Sequence, residues 1–274
     1  MDEIIPTSYN PILVALSYCF AVMGSYIALS GLYKLRTFRE AKTNHRLEKM
    51  MNVPEHRTIV PSHRIYNATL IVAGIAFGGI GVWCMHFIGQ LALNLPLDVH
   101  YALPGTVLSL VAAMGAAIWG LSIVAHNPYS WMRLFVGGAI LGLGVSAMHY
   151  LGMLSMYFEG FFLWNWPMVL LSIVIAFAAA TAGLWLAFQT NTVKTRVLAS
   201  MVMGVAVSAM HYTGMAAAQV VCTTLEVAAN AGTHNTLNMI SELHLPVLLI
   251  SLFIGIALAV TLNRMYAPHL RVGA

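Results

Sequence analysis

Met-His-Phe-Ile-Gly occupies residues 85–89, Met-His-Tyr-Leu-Gly-Met residues 148–153, and Met-His-Tyr-Thr-Gly-Met residues 210–215. The three histidines are 63 and then 62 residues apart, and each lies inside a long apolar stretch. A fixed period of this kind indicates an internal repeat. An ionisable side chain is unfavourable in an apolar span and is usually kept there for function. The three motifs therefore guide the prediction of both the fold and the site.

The composition is typical of a polytopic membrane protein. Hydrophobic residues make up 59% of the 274 residues and charged residues only 8%, which lies far outside the range of soluble domains. Membrane spans use nearly the whole chain, so we predict one domain over residues 1–274 without a separate catalytic or DNA-binding domain. Membrane topology accounts for the net charge of +4, so the charge does not predict nucleic acid binding.

Seven stretches are long enough to cross a hydrocarbon core of about 30 Å, which takes about 20 helical residues. We predict spans at residues 11–33, 66–93, 103–125, 132–157, 167–188, 196–219 and 246–266. One repeat period contains two spans, so successive repeats have the same orientation about an axis along the membrane normal. The predicted fold is all-α and integral to the membrane, with three parallel two-helix repeats plus one extra N-terminal helix. We expect the histidines to converge on the axis and the span 11–33 to lie at the side.

The basic residues predict the orientation in the membrane. If the N-terminus is outside, all 13 Lys and Arg fall on the cytoplasmic side, as the positive-inside rule requires. The C-terminus is then cytoplasmic. Residues 34–64 form a basic cytoplasmic loop, in which we expect an amphipathic helix on the membrane surface. Residues 220–245 form an outer loop.

The three histidines are candidate metal ligands. His86, His149 and His211 lie on the even-numbered spans at similar depth, in the outer half of the membrane. Residues four apart share a helix face, which adds Met153 and Met215 to the second and third repeats and leaves Gln90 in the first. Imidazole with thioether favours copper, especially Cu(I), over magnesium or calcium, and zinc stays possible through the histidines.

Other motif residues are weaker candidates. The methionines that directly precede the histidines point about 100° away around the helix, so they rank below Met153 and Met215 as ligands. These are Met85, Met148 and Met210. The phenols of Tyr150 and Tyr212 could orient the imidazoles or hold the pocket.

Met-His-Tyr-Thr at residues 210–213, with residues 148–151 and the degenerate 85–88, resembles the MHYT family of bacterial membrane sensor domains. The resemblance covers almost the whole chain. It implies a seven-helix domain of the bacterial inner membrane that holds copper near the outer face and senses oxygen, carbon monoxide or nitric oxide. A metal held by the histidines could instead respond to redox state. The family positions fall on Met85, His86, Phe87, Met148, His149, Tyr150, Met210, His211 and Tyr212.

Two departures from the family affect what the resemblance implies. Phe87 and Ile88 replace the Tyr and Thr of the first motif, so a role for a phenol hydroxyl is in doubt there. Family sensors are often joined to a cyclic-di-GMP synthase or hydrolase, or to a histidine kinase. Here the sequence ends at Ala274, which predicts a stand-alone form that signals to a separate partner through residues 34–64.

Other hypotheses remain open. The histidines could be structural, could line a metal uptake or transport path, or could bind haem as a bis-histidine pair. An enzyme is not indicated, because the sequence has no Gly-rich phosphate loop, no HExxH motif and no GxSxG motif. A retinal photoreceptor is also not indicated, because no predicted span contains a lysine.

Overall fold

The computed structural model describes residues 3–4, 6–51, 63–222, 239–241 and 244–265. Six helical segments are long and apolar enough to cross a membrane, and the apolar helix Leu245–Leu258 is shorter. The predicted all-α fold with seven helical segments is confirmed. The helices are α1 Pro11–Met50, α2 His63–Ile75, α3 Met85–Leu91, α4 Leu103–His126, α5 Trp131–Leu154, α6 Trp166–Gln189, α7 Val193–Ala216 and α8 Leu245–Met265.

The second span is not uniform. Between α2 and α3 the chain forms a π-helical segment, Ala76–Cys84, and every residue in it is buried. Its glycines allow close contact with neighbouring backbones: a Cβ on Gly78 would lie 2.6 Å from the carbonyl oxygen of Ala113 in α4. Such segments occur often near functional sites, and this one ends directly before the first Met-His motif.

Polar caps and prolines define where the spans begin. The side chains of Asn10, Ser130, Asn165 and Thr192 each accept a backbone N–H of the first helical turn. Proline stands in the first turn of α1, α4 and α6. A backbone N–H in this turn has no acceptor within the helix, so the lack of an N–H in proline removes no hydrogen bond.

The first helix is longer than predicted. We expected α1 to end at residue 33 and a basic loop to follow, but the helix continues unbroken for 40 residues to Met50. No proline or glycine interrupts residues 34–50, and Arg36 forms an i,i+4 ion pair with Glu40 at 2.9 Å. The helix expected within residues 34–64 is thus continuous with the first span up to Met50. Its place on the membrane surface stays a prediction, and residues 52–62 lie outside the described residues.

Six spans form a ring around a pseudo-threefold axis. Going around it, α1 packs on the π segment, followed by α4, α5, α6, α7 and α1 again. We expected the N-terminal helix to lie at the side, and this detail is wrong, because α1 separates α7 from the first histidine helix. Of the described residues, those of α8 pack outside the ring, against α2 and the π segment.

Equivalent backbone hydrogen bonds establish the threefold relation. The N–H groups of Asn10, Ala102 and Asn165, which directly precede α1, α4 and α6, each donate at 2.8 Å. The acceptors are the carbonyls six residues after each motif histidine, Ala92, Ser155 and Ala217. The helix α1 thus holds the third of the equivalent positions between the histidine helices, beside α4 and α6. From the repeat alone, α8 would be expected there.

Short strands that the sequence analysis did not predict cover the end of the bundle near the histidines, which we call the histidine end. The strand that follows each histidine helix pairs with the strand before α1, α4 or α6, and all three pairings are antiparallel. The strands are β1 Glu3–Ile4, β2 Ser8–Tyr9, β3 Leu93–Asn94, β4 His100–Ala102, β5 Met156–Tyr157, β6 Gly160–Trp164, β7 Ala218–Cys222 and β8 Met239–Ser241. The predicted outer loop 220–245 thus contains the end of β7 and all of β8, and residues 223–238 and 242–243 lie outside the described residues.

The opposite end of the bundle, which we call the basic end, carries positive charge. Arg39, Arg133 and Lys194 lie there, at the extension of α1 and at the first turns of α5 and α7. Between the two ends, apolar side chains face outward, as expected for helices in a lipid bilayer.

Candidate metal centre

The three motif histidines meet at one point on the pseudo-threefold axis. The Nδ1 atoms of His86 and His211 are 3.1 Å apart, those of His149 and His86 also 3.1 Å, and those of His211 and His149 3.3 Å. All three side chains are buried. Their rings stand nearly perpendicular to each other, with interplanar angles of 77°, 90° and 87°. The expected convergence is therefore present.

This arrangement fits a metal ion. The centre of the nitrogen triangle lies about 1.8 Å from each Nδ1, close to a zinc–imidazole bond of roughly 2.0 Å. Each Nδ1 presents either one proton or one lone pair in its ring plane, so at least two of the three present the same kind of group and repel each other. A cation that accepts three lone pairs satisfies all three nitrogens together.

Glycines of the motifs provide the space for the rings. A Cβ on Gly152 would overlap the Nε2 edge of His86, one on Gly214 that of His149, and one on Gly89 that of His211. Each glycine stands three residues after a motif histidine and receives the ring of a different repeat. The packing is therefore cyclic, and it explains why all three motifs contain glycine at this position.

The hydroxyl groups of the two motif tyrosines hydrogen-bond to serines of neighbouring helices. The hydroxyl of Tyr150 lies 2.6 Å from that of Ser172 in α6, and the hydroxyl of Tyr212 lies 2.9 Å from that of Ser17 in α1. In the first repeat Phe87 has no hydroxyl to offer. There the indole N–H of Trp83 donates to the hydroxyl of Ser109 in α4, at 3.0 Å. These contacts fix the position of each histidine helix against its neighbour.

A layer of thioether and carboxamide lies on the histidine-end side of the imidazoles. It consists of the residues four positions after the histidines, Gln90, Met153 and Met215, all buried. The amide of Gln90 donates to the sulfur of Met153 at 3.2 Å. Because these side chains come from different helices, both must project toward the axis. The Oε1 atom of Gln90 is buried and accepts no hydrogen bond from the described residues.

The other side of the imidazoles is apolar. The residues four positions before the histidines are Val82, Val145 and Val207, and all are buried. The methionines directly before the histidines belong to the same main core as these valines, whereas Met153 and Met215 pack in a separate cluster at the histidine end. The structure thus separates the two sets of methionines, and coordination by either set stays a prediction.

Tyr9 packs beside the centre at the histidine end. It precedes α1, and its ring meets that of Tyr212 edge to face, with centroids 5.7 Å apart. Burial raises the pKa of the Tyr9 phenol, and the nearby Tyr212 phenol raises it further. Tyr9 therefore stays neutral and adds no charge near the histidines.

Comparison with known proteins identifies the repeats. The model of the MHYT family, described as a bacterial signalling protein N terminal repeat, matches residues 79–137 and 142–200. The chain belongs to the MHYT family. The two matched segments begin at Gly79 and Gly142 and contain the first two MHYT motifs. The third motif follows them, and its equivalence rests on the repeat period and on the position of His211 in the triangle.

Several curated signalling proteins share this MHYT region. The chain is 35% identical over 236 residues to the bifunctional diguanylate cyclase/cyclic di-GMP phosphodiesterase MucR of Pseudomonas aeruginosa, covering 84% of this chain and 31% of MucR. It is 29% identical over 225 residues to the signaling protein YkoW of Bacillus subtilis, covering 78% of this chain and 24% of YkoW. The chain therefore spans a third or less of these relatives. No solved structure matches it.

Sequence reasoning identified the histidines but missed the groups that position them. The serines on α1 and α6 and the receiving glycines were not predicted as parts of the centre. The glycine signal was present, because all three MHYT motifs carry glycine three residues after histidine. A signal was also present for Ser172, which lies 63 residues after Ser109, whereas Ser17 lies outside the repeated region and gave none.

Substituting a receiving glycine should displace an imidazole. Gly152→Ala places a methyl group where the His86 ring lies, so we expect a loss of about 1–3 kcal/mol in unfolding free energy, as for other overpacked cores. Reversible unfolding in mixed detergent micelles measures it.

The matched control is Gly115→Ala in α4, where an added Cβ meets no atom within 4 Å. Alanine favours helix over glycine by roughly 0.5–1 kcal/mol, so this variant should be unchanged or more stable. Equal effects of both substitutions would contradict the packing of His86 on Gly152.

Proposed function

We propose that the protein is a membrane sensor that binds one copper ion through His86, His149 and His211, near the outer face of a bacterial inner membrane. Copper held by these histidines would supply a binding site for a diatomic gas or a change of redox state, and the protein would pass that change to a cytoplasmic partner. The observation that carries this proposal is the buried triangle of three Nδ1 atoms. Membership of a family of signalling proteins supports the sensory role.

The donor set favours copper among the metals. Three imidazoles with two nearby thioethers in an apolar surrounding suit Cu(I), whereas magnesium and calcium require oxygen ligands. The histidines alone also suit zinc, which has no redox chemistry of its own. When bound, copper supplies redox chemistry and an affinity for small ligands. The protein contributes the trigonal nitrogen set, the close packing and the exclusion of water.

The geometry disfavours the alternatives. A bis-histidine haem needs two imidazoles on opposite faces of a flat macrocycle, but here three ring nitrogens lie within 3.3 Å of each other. A metal transporter needs ligands along a path, but the layer on the basic-end side of the histidines consists of valines.

The helix α1 offers a route for the signal. Its Ser17 bonds to Tyr212, the neighbour of His211, and the same helix continues to Met50 at the basic end. The helical rise places these positions about 50 Å apart. By the positive-inside rule the basic end is cytoplasmic. There Arg39, Lys42 and Arg46 line a cavity of about 450 Å³ that suits an acidic partner surface.

Replacing the three motif histidines by alanine should abolish metal binding. We expect one copper per chain in the protein purified without added metal, and none in the His86, His149, His211 triple alanine variant. Elemental analysis by mass spectrometry measures both. The control is alanine at the exposed His63, His100 and His126, which should retain the metal. Equal metal content in the two triple variants would contradict the proposal.

Gln90→Met should distinguish copper from zinc. It completes a ring of three thioethers, so the affinity for Cu(I) should rise by about tenfold while that for zinc does not. Competition titration with Cu(I) and Zn(II) chelators measures the two affinities. Gln90→Leu removes the carboxamide without adding sulfur and is the control. If both variants bind Cu(I) equally well, the thioethers are not ligands.

Removing the metal should move the extension of α1. With spin labels on Thr43→Cys and Lys194→Cys, and with Cys19 and Cys222 replaced by serine, we expect the distance to change by about 2 Å upon chelation. Pulsed electron resonance measures it. A label pair at Arg133 and Lys194 does not involve α1 and should not respond. An unchanged distance between positions 43 and 194 would contradict this route.

A further inference from the structure

An apolar cavity of about 40 Å³ lies within the ring of spans. It is lined by α1, the π segment, α4, α5, α6 and α7, and every lining side chain is aliphatic, phenyl or thioether, with one glycine. No described element of the strand-covered histidine end contributes to it. The cavity is thus a feature of the bundle interior and not of the aqueous surface.

The size and lining of the cavity define what it can hold. A void of about 10–15 Å³ on this measure admits one water, so the space is large enough for a diatomic molecule. A water needs two to four polar partners, and the lining offers none. Empty apolar voids of this kind stay dry and bind xenon or small apolar molecules.

The cavity reaches the candidate metal centre from its apolar side. Val145 and Val207, four residues before His149 and His211, both line it, and so does Met210, the neighbour of His211. The opposite side of the imidazoles carries the Gln90, Met153 and Met215 layer and the strands. The cavity therefore extends to the valine and methionine side chains that lie next to the histidines on their apolar side.

The cavity opens toward the membrane between α6 and α7. The lining residues that keep some exposed surface are all on these two helices, Ala179, Ala180, Met203 and Ala206. Those on α1, the π segment, α4 and α5 are buried. The Met203 side chain lies over Gly183, with its methyl carbon 3.4 Å from the position a Cβ would take. Methionine is flexible, so this side chain can move aside to admit a small molecule.

We propose that this cavity is a binding site for a small apolar molecule of diatomic size. The molecule enters from the bilayer between α6 and α7 and reaches the histidines from their basic-end side. Diatomic gases are apolar and dissolve readily in hydrocarbon, so the bilayer is the source of the molecule. That the occupant is the sensed gas rests on the proposed function. The existence of the site does not.

Xenon under pressure tests the site without requiring a metal. We expect one anomalous xenon peak within the cavity in crystals of this 274-residue protein, and the same peak in the triple alanine variant of the motif histidines. Ala180→Leu fills the mouth and should abolish the peak. Ala206→Leu, from the other helix, should do the same. The control is Ala178→Leu, an exposed position on α6, which should keep the peak.

The outcomes separate this inference from the proposed function. Absence of xenon from the wild-type cavity, or an equal peak in Ala180→Leu and Ala178→Leu, overturns the cavity site whatever the metal content. Xenon in the cavity of a wild-type protein that binds no copper upholds the site and contradicts the copper proposal. For copper-loaded protein, carbon monoxide should bind at least tenfold more slowly to Ala180→Leu than to Ala178→Leu.

Discussion

The structure depends on the contact between an imidazole edge and a glycine backbone, made three times around one axis. Each histidine reaches the axis only because the facing helix has no side chain where the ring lies. Burying three such rings is unfavourable in a membrane unless they have a common partner. The same contact that places the nitrogens also holds α3, α5 and α7 together, so site and scaffold cannot be separated.

The threefold arrangement is built from unequal parts. Two of the helices between the histidine helices come from the repeats, and the third is the N-terminal α1, which uses an equivalent capping hydrogen bond and an equivalent strand pairing. The first repeat differs again, with a π-helical segment, Phe87 in place of tyrosine and Gln90 in place of methionine. These differences lie around His86, so the surroundings of His86 are chemically distinct from those of His149 and His211.

Much of the fold could be predicted from the sequence, because membrane spans are set by length and hydrophobicity. With α2, the π segment and α3 taken as one span, the predicted spans agree with the helical segments within three residues at both ends, apart from the C-terminal end of α1. The convergence of the histidines followed from the repeat period and equal depth. The place of α1 could not be predicted, because α1 lies outside the repeat and one of its two neighbours in the ring, α7, is far away in the chain. The strands are only two to five residues long, too short for a visible pattern.

The position of α1 has a consequence for how the chain assembles. Synthesis delivers α1 to the membrane before the other helices of the ring, but its hydrogen-bonding partner Tyr212 and its neighbour α7 arrive some 200 residues later. Until then one flank of α1 faces lipid, with the buried hydroxyl of Ser17 lacking the phenol it meets in the finished ring. Closure of the ring is thus a late, long-range step, and the nascent protein has no complete histidine centre before its third repeat has been inserted.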